Sequence, residues 1–385
     1  MAKEQYKLSV EPITCVHIGN GEQLSPLDYK ASPSKQGRDV FVNFSTDSIL
    51  KRIAKRIATD PQKFDEFDSL SSSENMKDLV TFVHNNFKTE DINYICHCTN
   101  EFVKTYKKNT EKDPLQNGSF VEQMYRNNGS GVPIIPGSSL KGAVRTAVLN
   151  AELKHYNNRQ NLRNKQDDQI QKELLEFSDA KNDPFRILQF GDCVFSGKGT
   201  QIVGMLKNIK TRQDGEVIED NKSQIQAEAI KGYLMNGSSE ACLTGEARFI
   251  FDRDLANSKE ISKKITIQDI VKDCNEFYFD EFMTEYDKFY RNTACSECDR
   301  ITDLFKELKS IANNSQNKNE FIIRVGRWSQ VEFVTFGETL RNPKTKKGKN
   351  GKPLPYGTTR TVFNNDGFYL PFGWCKCTFT PMGEK

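Results

Sequence analysis

The sequence lacks the features that would place it in a membrane, outside the cell or among well-known hydrolases. No apolar run approaches the ~20 residues of a membrane-spanning helix, and the first residues lack the apolar core of a signal peptide. The G-x-x-x-x-G-K-[ST], H-E-x-x-H and G-x-S-x-G motifs are absent. We therefore expect a cytoplasmic protein with no membrane association and with reduced cysteines.

The composition indicates modest cores and large polar segments. Hydrophobic residues make up 36% and charged residues 28% of the 385 residues, and the net charge is only +3. Any anion-binding surface must therefore come from local clustering of cations, not from overall charge. The cysteines include a single C-x-x-C motif, Cys295 to Cys298, and the tight group Cys96-His97-Cys98. We predict no metal and no cofactor, with a zinc site built from these two pieces as the alternative.

Residues 132–149 predict a first anion site. A proline–glycine turn ends a short apolar run, and two serines precede an apolar pattern at helical spacing. Lys141 and Arg145 share one face of the first turns, where cations oppose the helix dipole unless an anion is bound there. The alternative is an ordinary capped helix with a solvated basic edge. The ligands expected at this site are Gly137, Ser138, Ser139, Lys141 and Arg145.

Residues 321–336 predict a second anion site, built as a strand, a glycine break and another strand. Arg324, Arg327 and Trp328 surround Gly326. A glycine between two arginines and beside an indole offers close approach, charge-assisted phosphate bonds and a stacking face. The lysine-rich segment 343–352 is either a solvated loop or a flexible phosphate-binding arm.

Apolar periodicity gives a coarse map of the remaining elements. Segment 47–130 reads as a largely helical insertion, and alternating helix and strand elsewhere suits ferredoxin-like units. Predicted strands cover 7–13, 185–195, 201–205, 241–252 and 369–379, and predicted helices cover 47–58, 76–87, 266–290 and 301–311.

Three stretches resemble RAMP proteins, the RNA-binding subunits of CRISPR effector complexes. Residues 135–146, I-P-G-S-S-L-K-G-x-x-R-T, resemble the signature of that superfamily. Residues 13–22, I-T-C-V-H-I-G-N-G-E, resemble its opening segment. The L-S-P-L-D-Y of 24–29 and the L-P-x-G-W of 370–374 resemble the fifth-subunit family of type III-A Csm complexes. The R-V-G-R-W-S of 324–329 matches the place of the RAMP glycine loop but has fewer glycines.

This resemblance implies an α+β fold of two ferredoxin-like (RRM-like) RAMP domains. Residues 1–255 would form the N-terminal domain, with a helical insertion at about 47–130, and residues 256–385 the C-terminal domain with the glycine loop. It implies an RNA-binding structural subunit of a Csm complex, and not an enzyme, that caps the 3′ end of the crRNA and supports crRNA maturation and antiviral defence. The implied partners are crRNA, target RNA in the assembled complex, the backbone RAMP subunit, other Csm subunits and recruited host nucleases.

His17 has two interpretations. It either contacts RNA or performs acid–base chemistry, as in the related metal-independent crRNA-processing endoribonucleases, or it supports the glycine turn at Gly19. We favour the supporting role because no partner acid or base is apparent nearby in the sequence. The predicted RNA-binding residues are His17, Gly19, Gly137, Ser138, Ser139, Lys141, Arg145, Arg324, Gly326 and Arg327.

Overall fold

The computed structural model describes most of the chain as two sheets with helices packed on them. The described residues are 3–33, 39–57, 76–114, 119–162, 164–197, 201–211, 216–235, 243–291, 296–314, 319–337, 340, 351 and 357–383. The predicted lysine-rich segment 343–352 falls outside them except for residue 351.

The strands within the described residues form two sheets, called here the first and the second sheet. The strands are β1 Lys3–Pro12, β2 Gly19–Leu24, β3 Tyr29–Ser32, β4 Val40–Phe44, β5 Ile92–Cys98, β6 Val121–Met124, β7 Ile134–Ile135, β8 Leu188–Phe190, β9 Cys193–Val194, β10 Gln201–Thr211, β11 Val217–Ile230, β12 Gly245–Asp252, β13 Glu320–Arg324, β14 Thr359–Asn364, β15 Tyr369–Pro371 and β16 Trp374–Pro381. The first sheet has the order β13-β16-β1-β12-β9-β7, with β8 also paired to β12. The second has the order β2-β6-β11-β10-β5-β4-β3, with β14 paired to β10 and β15 to β14.

Ten α-helices lie within the described residues. They are α1 Thr46–Ile57, α2 Met76–Asn86, α3 Asn100–Lys112, α4 Gly137–His155, α5 Arg159–Leu162, α6 Asp167–Leu174, α7 Arg253–Asn257, α8 Ile267–Phe289, α9 Ile301–Ala312 and α10 Val331–Val334. Helix α8 begins with a capping box, in which Thr266 Oγ1 accepts from Asp269 N–H (3.1 Å) and the Asp269 carboxylate accepts from Thr266 N–H (2.9 Å). None of these helices is long and apolar enough to cross a membrane.

The main core joins both sheets to helices α4, α8 and α9. Strand β10 shows how the second sheet divides the interior, because Ile202 and Leu206 belong to the main core while Val203 and Met205 face a smaller core under helix α3. Successive side chains of a strand point to opposite faces. Helix α3 therefore covers the face of the second sheet that looks away from the main core.

Most of the predicted elements are confirmed, and the mixed helix-and-sheet class with them. The predicted helices near 266–290 and 301–311 are α8 and α9, and the strand near 7–13 is β1. These segments have strong apolar periodicity, and Leu8 and Val10 of β1 are fully buried.

Two predicted elements differ. The largely helical segment 47–130 also contains β5 and β6, and β5 pairs with both β4 and β10. The second predicted strand of 321–336 is instead a loop and the short helix α10. The division into two ferredoxin-like domains at residue 255 stays a prediction, and sheet pairing crosses that position, since β1 pairs with β16 and β10 with β14.

Candidate nucleic-acid interface

The opening segment and the Gly326 loop, far apart in sequence, lie against each other. The Arg327 N–H donates to the His17 carbonyl oxygen at 2.9 Å. A Cβ on Gly326 would lie 2.4 Å from that same oxygen, and the φ of Gly326 is +91°. Only glycine fits here, because the position needs both the left-handed region and the close approach.

The His17 ring is buried beneath this contact. It is 0% exposed, its Nδ1 lies 2.7 Å from the Glu228 carbonyl oxygen, and its ring centroid lies 4.8 Å from that of Trp328. Burial lowers the His17 pKa to about 4, so the ring is neutral at pH 7 and donates its Nδ1–H to Glu228. A Cβ on Gly19 would lie 3.1 Å from His17 Nε2. The geometry favours a supporting role for His17 and offers nothing for acid–base chemistry on an external substrate.

Residues 326–330 form a strained loop with unsatisfied backbone donors. Besides Gly326, Trp328 and Gln330 have positive φ values of 66° and 70°, a conformation that costs bulky residues about 1–3 kcal/mol each. The Ser329 hydroxyl donates to the Gly326 carbonyl at 2.6 Å and holds the loop closed. Within the described part of the chain, the N–H groups of Trp328, Ser329 and Gln330 have no acceptor. Because Ser329 is only 2% exposed, the N–H groups of Trp328 and Gln330 are the ones that this turn offers to an anion.

Arg327 is the exposed cation of this loop. Its Nη1 contacts Glu122 Oε2 at 2.5 Å, with the Arg327 side chain 46% exposed, and its guanidinium lies 5.0 Å from the Trp328 ring centroid. Only the arginine side of this pair is open to solvent, because the Glu122 side chain is 14% exposed. Glu122 also accepts from Gln23 Nε2 at 3.1 Å and keeps that partner if a phosphate takes Arg327.

Tyr125 extends this surface and is a residue that the sequence analysis did not identify. Its N–H donates to the Ile18 carbonyl at 2.6 Å, and its carbonyl accepts from the Ile134 N–H at 3.3 Å. Its side chain is 41% exposed. Tyr125 thus links the opening segment to β7, which leads into helix α4. We call Gly19, Tyr125, Arg327 and Trp328 the junction surface.

A buried ion pair fixes Tyr125 in place. Glu228 is 1% exposed, and its carboxylate accepts from Arg126 Nη2 at 2.7 Å and from the Met124 N–H at 2.8 Å. The Arg126 guanidinium lies 3.8 Å from the Tyr94 ring centroid. Since Arg126 follows Tyr125 directly, these contacts hold the aromatic side chain at the surface.

At the start of helix α4, the protein itself supplies the anion predicted there. The Gly137 N–H donates to Asp192 Oδ1 at 2.8 Å, so a carboxylate already occupies the positive end of the helix dipole. A Cβ on Gly137 would lie 2.2 Å from the Phe190 carbonyl oxygen. Glycine at 137 is therefore explained by packing, while Ser138 is exposed and Ser139 half-exposed.

Both predicted cations of helix α4 have partners inside the protein. Lys141 Nζ donates to the Leu188 carbonyl at 2.9 Å, and partial burial lowers the Lys141 pKa. Arg145 binds both Asp183 oxygens, at 3.1 and 2.9 Å, and donates Nε–H to Gln171 at 2.8 Å. Phosphate binding by Lys141 and Arg145 stays a prediction, and these contacts favour the capped-helix alternative for this part of the site.

Arg324 has an internal role that RNA contact would disrupt. Its side chain is 0% exposed and pairs with Glu285 at 2.8 Å, and its Nε–H donates to the Phe372 carbonyl at 2.8 Å. Arg360 contacts the second Glu285 oxygen at 2.5 Å and Glu332 at 3.0 Å. Because this buried network faces away from solvent, we leave Arg324 out of the candidate interface, contrary to the sequence-based prediction.

The two cysteine-containing pieces of the alternative zinc site form no metal-binding group in the part of the chain that the structure describes. Cys96, Cys98 and Cys298 are each buried, and burial raises the pKa of the Cys96 and Cys98 thiols. No group of three or more His, Cys, Asp or Glu among the described residues is arranged to hold a metal ion. Cys295 lies outside the described residues.

Comparison with family models identifies the superfamily of this chain. A family model described as the RAMP superfamily matches residues 9–365. The Csm5 protein of a CRISPR system from Streptococcus thermophilus is 27% identical over 155 residues, which is 40% of this chain and 40% of that protein. In that comparison the chain therefore spans less than half the length of its relative.

Two solved structures share the fold over nearly the full length. One chain of a cryo-EM structure of a Csm–crRNA–target RNA ternary complex of a type III-A CRISPR-Cas system matches with a TM-score of 0.59 and 16% identity, covering 97% of this chain and 100% of that chain. The crystal structure of T. onnurineus Csm5 matches with a TM-score of 0.55 and 17% identity, covering 95% and 99%. At these identities the likeness is one of fold alone. Because the family model covers most of its length, this chain belongs to the RAMP superfamily.

Proposed function

We propose that this protein is an RNA-binding structural subunit of a type III-A CRISPR Csm complex. In this role it caps the 3′ end of the crRNA and supports crRNA maturation and antiviral defence. Its partners are the crRNA, target RNA in the assembled complex, the backbone RAMP subunit, other Csm subunits and recruited host nucleases. Membership of the RAMP superfamily and the likeness to Csm5 proteins support this proposal.

The observation that carries the proposal is the junction surface. It combines free backbone N–H groups, an exposed arginine and two partly exposed aromatic rings at one place. Such a surface binds phosphates and stacks bases without reading a particular sequence. That property suits a subunit that must accept any guide. Gly19 and Gly326 both pack closely against His17, so that the buried histidine supports this surface from the interior.

The alternative, a metal-independent endoribonuclease with His17 as general acid or base, has less support. A general base must reach its substrate and have a pKa near the working pH, whereas the His17 ring is buried with a pKa of about 4. Incubation with labelled repeat RNA in EDTA decides between the two. We expect no site-specific cleavage, and cleavage abolished by His17→Ala would overturn the structural role.

Arg327→Gln tests RNA binding at the junction surface, with Arg291→Gln as the matched control. Arg291 is also an exposed arginine, paired with Asp287 at 2.7 Å and placed 5.9 Å from the Tyr286 ring centroid. Loss of one charge-assisted phosphate bond is worth about 1.5 kcal/mol or more, so we expect Arg327→Gln to weaken crRNA binding about tenfold. Arg291→Gln should bind like the wild type. Equal affinities of the two variants would refute the site.

The capping role has a separate test. Csm complexes assembled with and without this chain are exposed to a 3′→5′ exonuclease, and the length of the guide is followed over time. We expect the 3′ end to be protected only when the chain is present. Equal trimming in both complexes would contradict capping and leave RNA binding at the junction surface intact.

A further inference from the structure

Helix α3 carries an exposed basic face that the junction surface does not use. Phe102, Val103 and Tyr106 are buried against the second sheet. On the opposite side of the helix all the lysines are exposed. They are Lys104, Lys107, Lys108 and Lys112, and we call them the lysine face. The helix begins at an N-cap, where Thr99 accepts from the Phe102 N–H. Both its position and its orientation are therefore fixed by packing and capping.

The lysine face forms no ion pair within the described residues. Among the described residues, no salt bridge or side-chain hydrogen bond involves any of its four ammonium groups. Two carboxylates, Glu101 and Glu111, lie on the same helix, but neither pairs with these lysines, and Glu101 instead contacts Lys207 Nζ at 3.3 Å. Several other exposed lysines on helices have carboxylate partners, although Lys55, Lys272 and Lys309 have none among the described residues. Examples of such pairs are Lys51 with Asp47, Lys154 with Asp280, Lys172 with Asp168 and Lys306 with Asp303.

Repeated like charges at this spacing act against the helix. Lys104, Lys108 and Lys112 follow each other at i, i+4 and i+8, and each such pair costs about 0.2–0.5 kcal/mol. With a rise of about 1.5 Å per residue, the three ammonium groups form a row of roughly 12 Å. No ion pair among the described residues offsets this repulsion. A ligand that does offset it has to carry several negative charges in a row.

We infer that the lysine face is a second RNA-binding surface, which binds the phosphate backbone of a single strand without reading its bases. A basic stripe along one helix is the usual electrostatic footprint of a nucleic-acid-binding protein. The inference rests on the proposed RNA-binding function but uses a different surface. Helix α3 covers the side of the second sheet opposite the main core, whereas the junction surface is built on residues that border that core, such as Ile18.

The test measures how the affinity for RNA depends on salt. The full-length protein is titrated against a labelled single-stranded RNA without secondary structure, between about 50 and 200 mM salt. The variant is Lys104→Gln with Lys108→Gln. The matched control is Lys306→Gln with Lys309→Gln on α9, where both lysines are also exposed. Gln and Lys have similar helix propensities, so both variants should keep the wild-type melting temperature.

We expect the lysine-face variant to lower the slope of log K against log [salt] by about 1.4, since each lost phosphate contact on a single strand removes about 0.7. The control should keep the wild-type slope. An unchanged slope in the lysine-face variant, or an equal loss in the control, overturns the inference. Normal RNA affinity with loss of the chain from the assembled complex would also overturn it, because the face would then bind an acidic protein.

The outcomes separate this inference from the proposed function. If Arg327→Gln weakens binding while the lysine-face variant does not change the slope, the lysine face fails and the junction surface stands. If the wild-type protein and its complex bind no RNA at all, the proposed function fails, and the lysine face fails with it.

Discussion

Two glycines of helix α4 are expected to respond in opposite ways to the same substitution. A Cβ on Gly137 would lie 2.2 Å from the Phe190 carbonyl oxygen and 2.9 Å from the Gly191 carbonyl carbon, both of them backbone atoms that cannot rotate away. A Cβ on Gly142 would meet no atom within 4 Å, and Gly142 is exposed in the helix interior. Gly137→Ala should therefore destabilise the protein, and Gly142→Ala should stabilise it.

The magnitudes follow from these distances. Forcing an extra methyl group into a packed position costs about 1–3 kcal/mol, and Gly137→Ala also disturbs the 2.8 Å bond from the Gly137 N–H to Asp192. Replacing glycine by alanine in an exposed helix interior gains about 0.8–1.0 kcal/mol. An unfolding entropy of roughly 2.1 cal/mol/K per residue gives about 0.8 kcal/mol/K for this chain. The melting temperature should fall by about 1–4 °C for Gly137→Ala and rise by about 1 °C for Gly142→Ala.

Differential scanning calorimetry of the two variants and the wild type, at one scan rate and one protein concentration, measures both shifts. The control is that both variants keep the wild-type far-UV circular dichroism. A stable Gly137→Ala protein would mean that Gly137 is not there for packing, and would return it to the group of RNA ligands. A destabilised Gly142→Ala protein would contradict the open space found above this helix.

Two other predictions concern the buried polar groups. Arg324→Met should lower the free energy of unfolding by about 3 kcal/mol and the melting temperature by about 4 °C, because it leaves part of a buried carboxylate unpaired. Arg327→Met should leave the melting temperature within about 1 °C of the wild type. Equal shifts would contradict the assignment of Arg324 to the interior and Arg327 to the surface. His17 has a folded pKa of about 4 against about 6.5 in the unfolded chain, so the unfolded state takes up the proton first as the pH falls. The stability that depends on neutral His17 is present above pH 6.5 and is lost between about pH 6.5 and pH 4, with about 2 kcal/mol lost at pH 5. His17→Asn should remove this part of the pH dependence of the free energy of unfolding, measured by denaturant unfolding. If His17→Asn still loses about 2 kcal/mol of stability at pH 5, another group is responsible.

Local sequence patterns were sufficient to predict most of the helices and strands of this protein. Helices α8 and α9 have apolar residues at helical spacing, which matches the face of each helix that is buried. In β1, buried and more exposed residues alternate along the second half of the strand, as expected for a strand with one buried face. The segment 47–130 was predicted less well. Strand β5 is sandwiched between β4 and β10 and needs partners distant in sequence, which no local pattern specifies.

The candidate site divides in the same way. The sequence predicted a close approach at Gly326, and the His17 carbonyl oxygen does lie 2.4 Å from where a Cβ on Gly326 would be. Whether each cation faces solvent was not predictable. Arg324 and Arg327 are three residues apart in the sequence, yet one is buried against Glu285 and the other is 46% exposed. The alternation of a strand and the turn that follows it separate them.

By itself, the sequence determined the helix and strand periods and the resemblance to the RAMP superfamily. Only the tertiary structure decided which charges are free for a ligand. Asp183, Asp192 and Leu188 come from other parts of the chain to pair with the polar groups of helix α4. The junction surface arises where the carbonyl oxygens of His17 and Ile18 accept from the N–H groups of Arg327 and Tyr125. The reason is physical: a buried polar group must find a partner wherever the fold brings one, and the partner that it finds is set by packing over the whole chain.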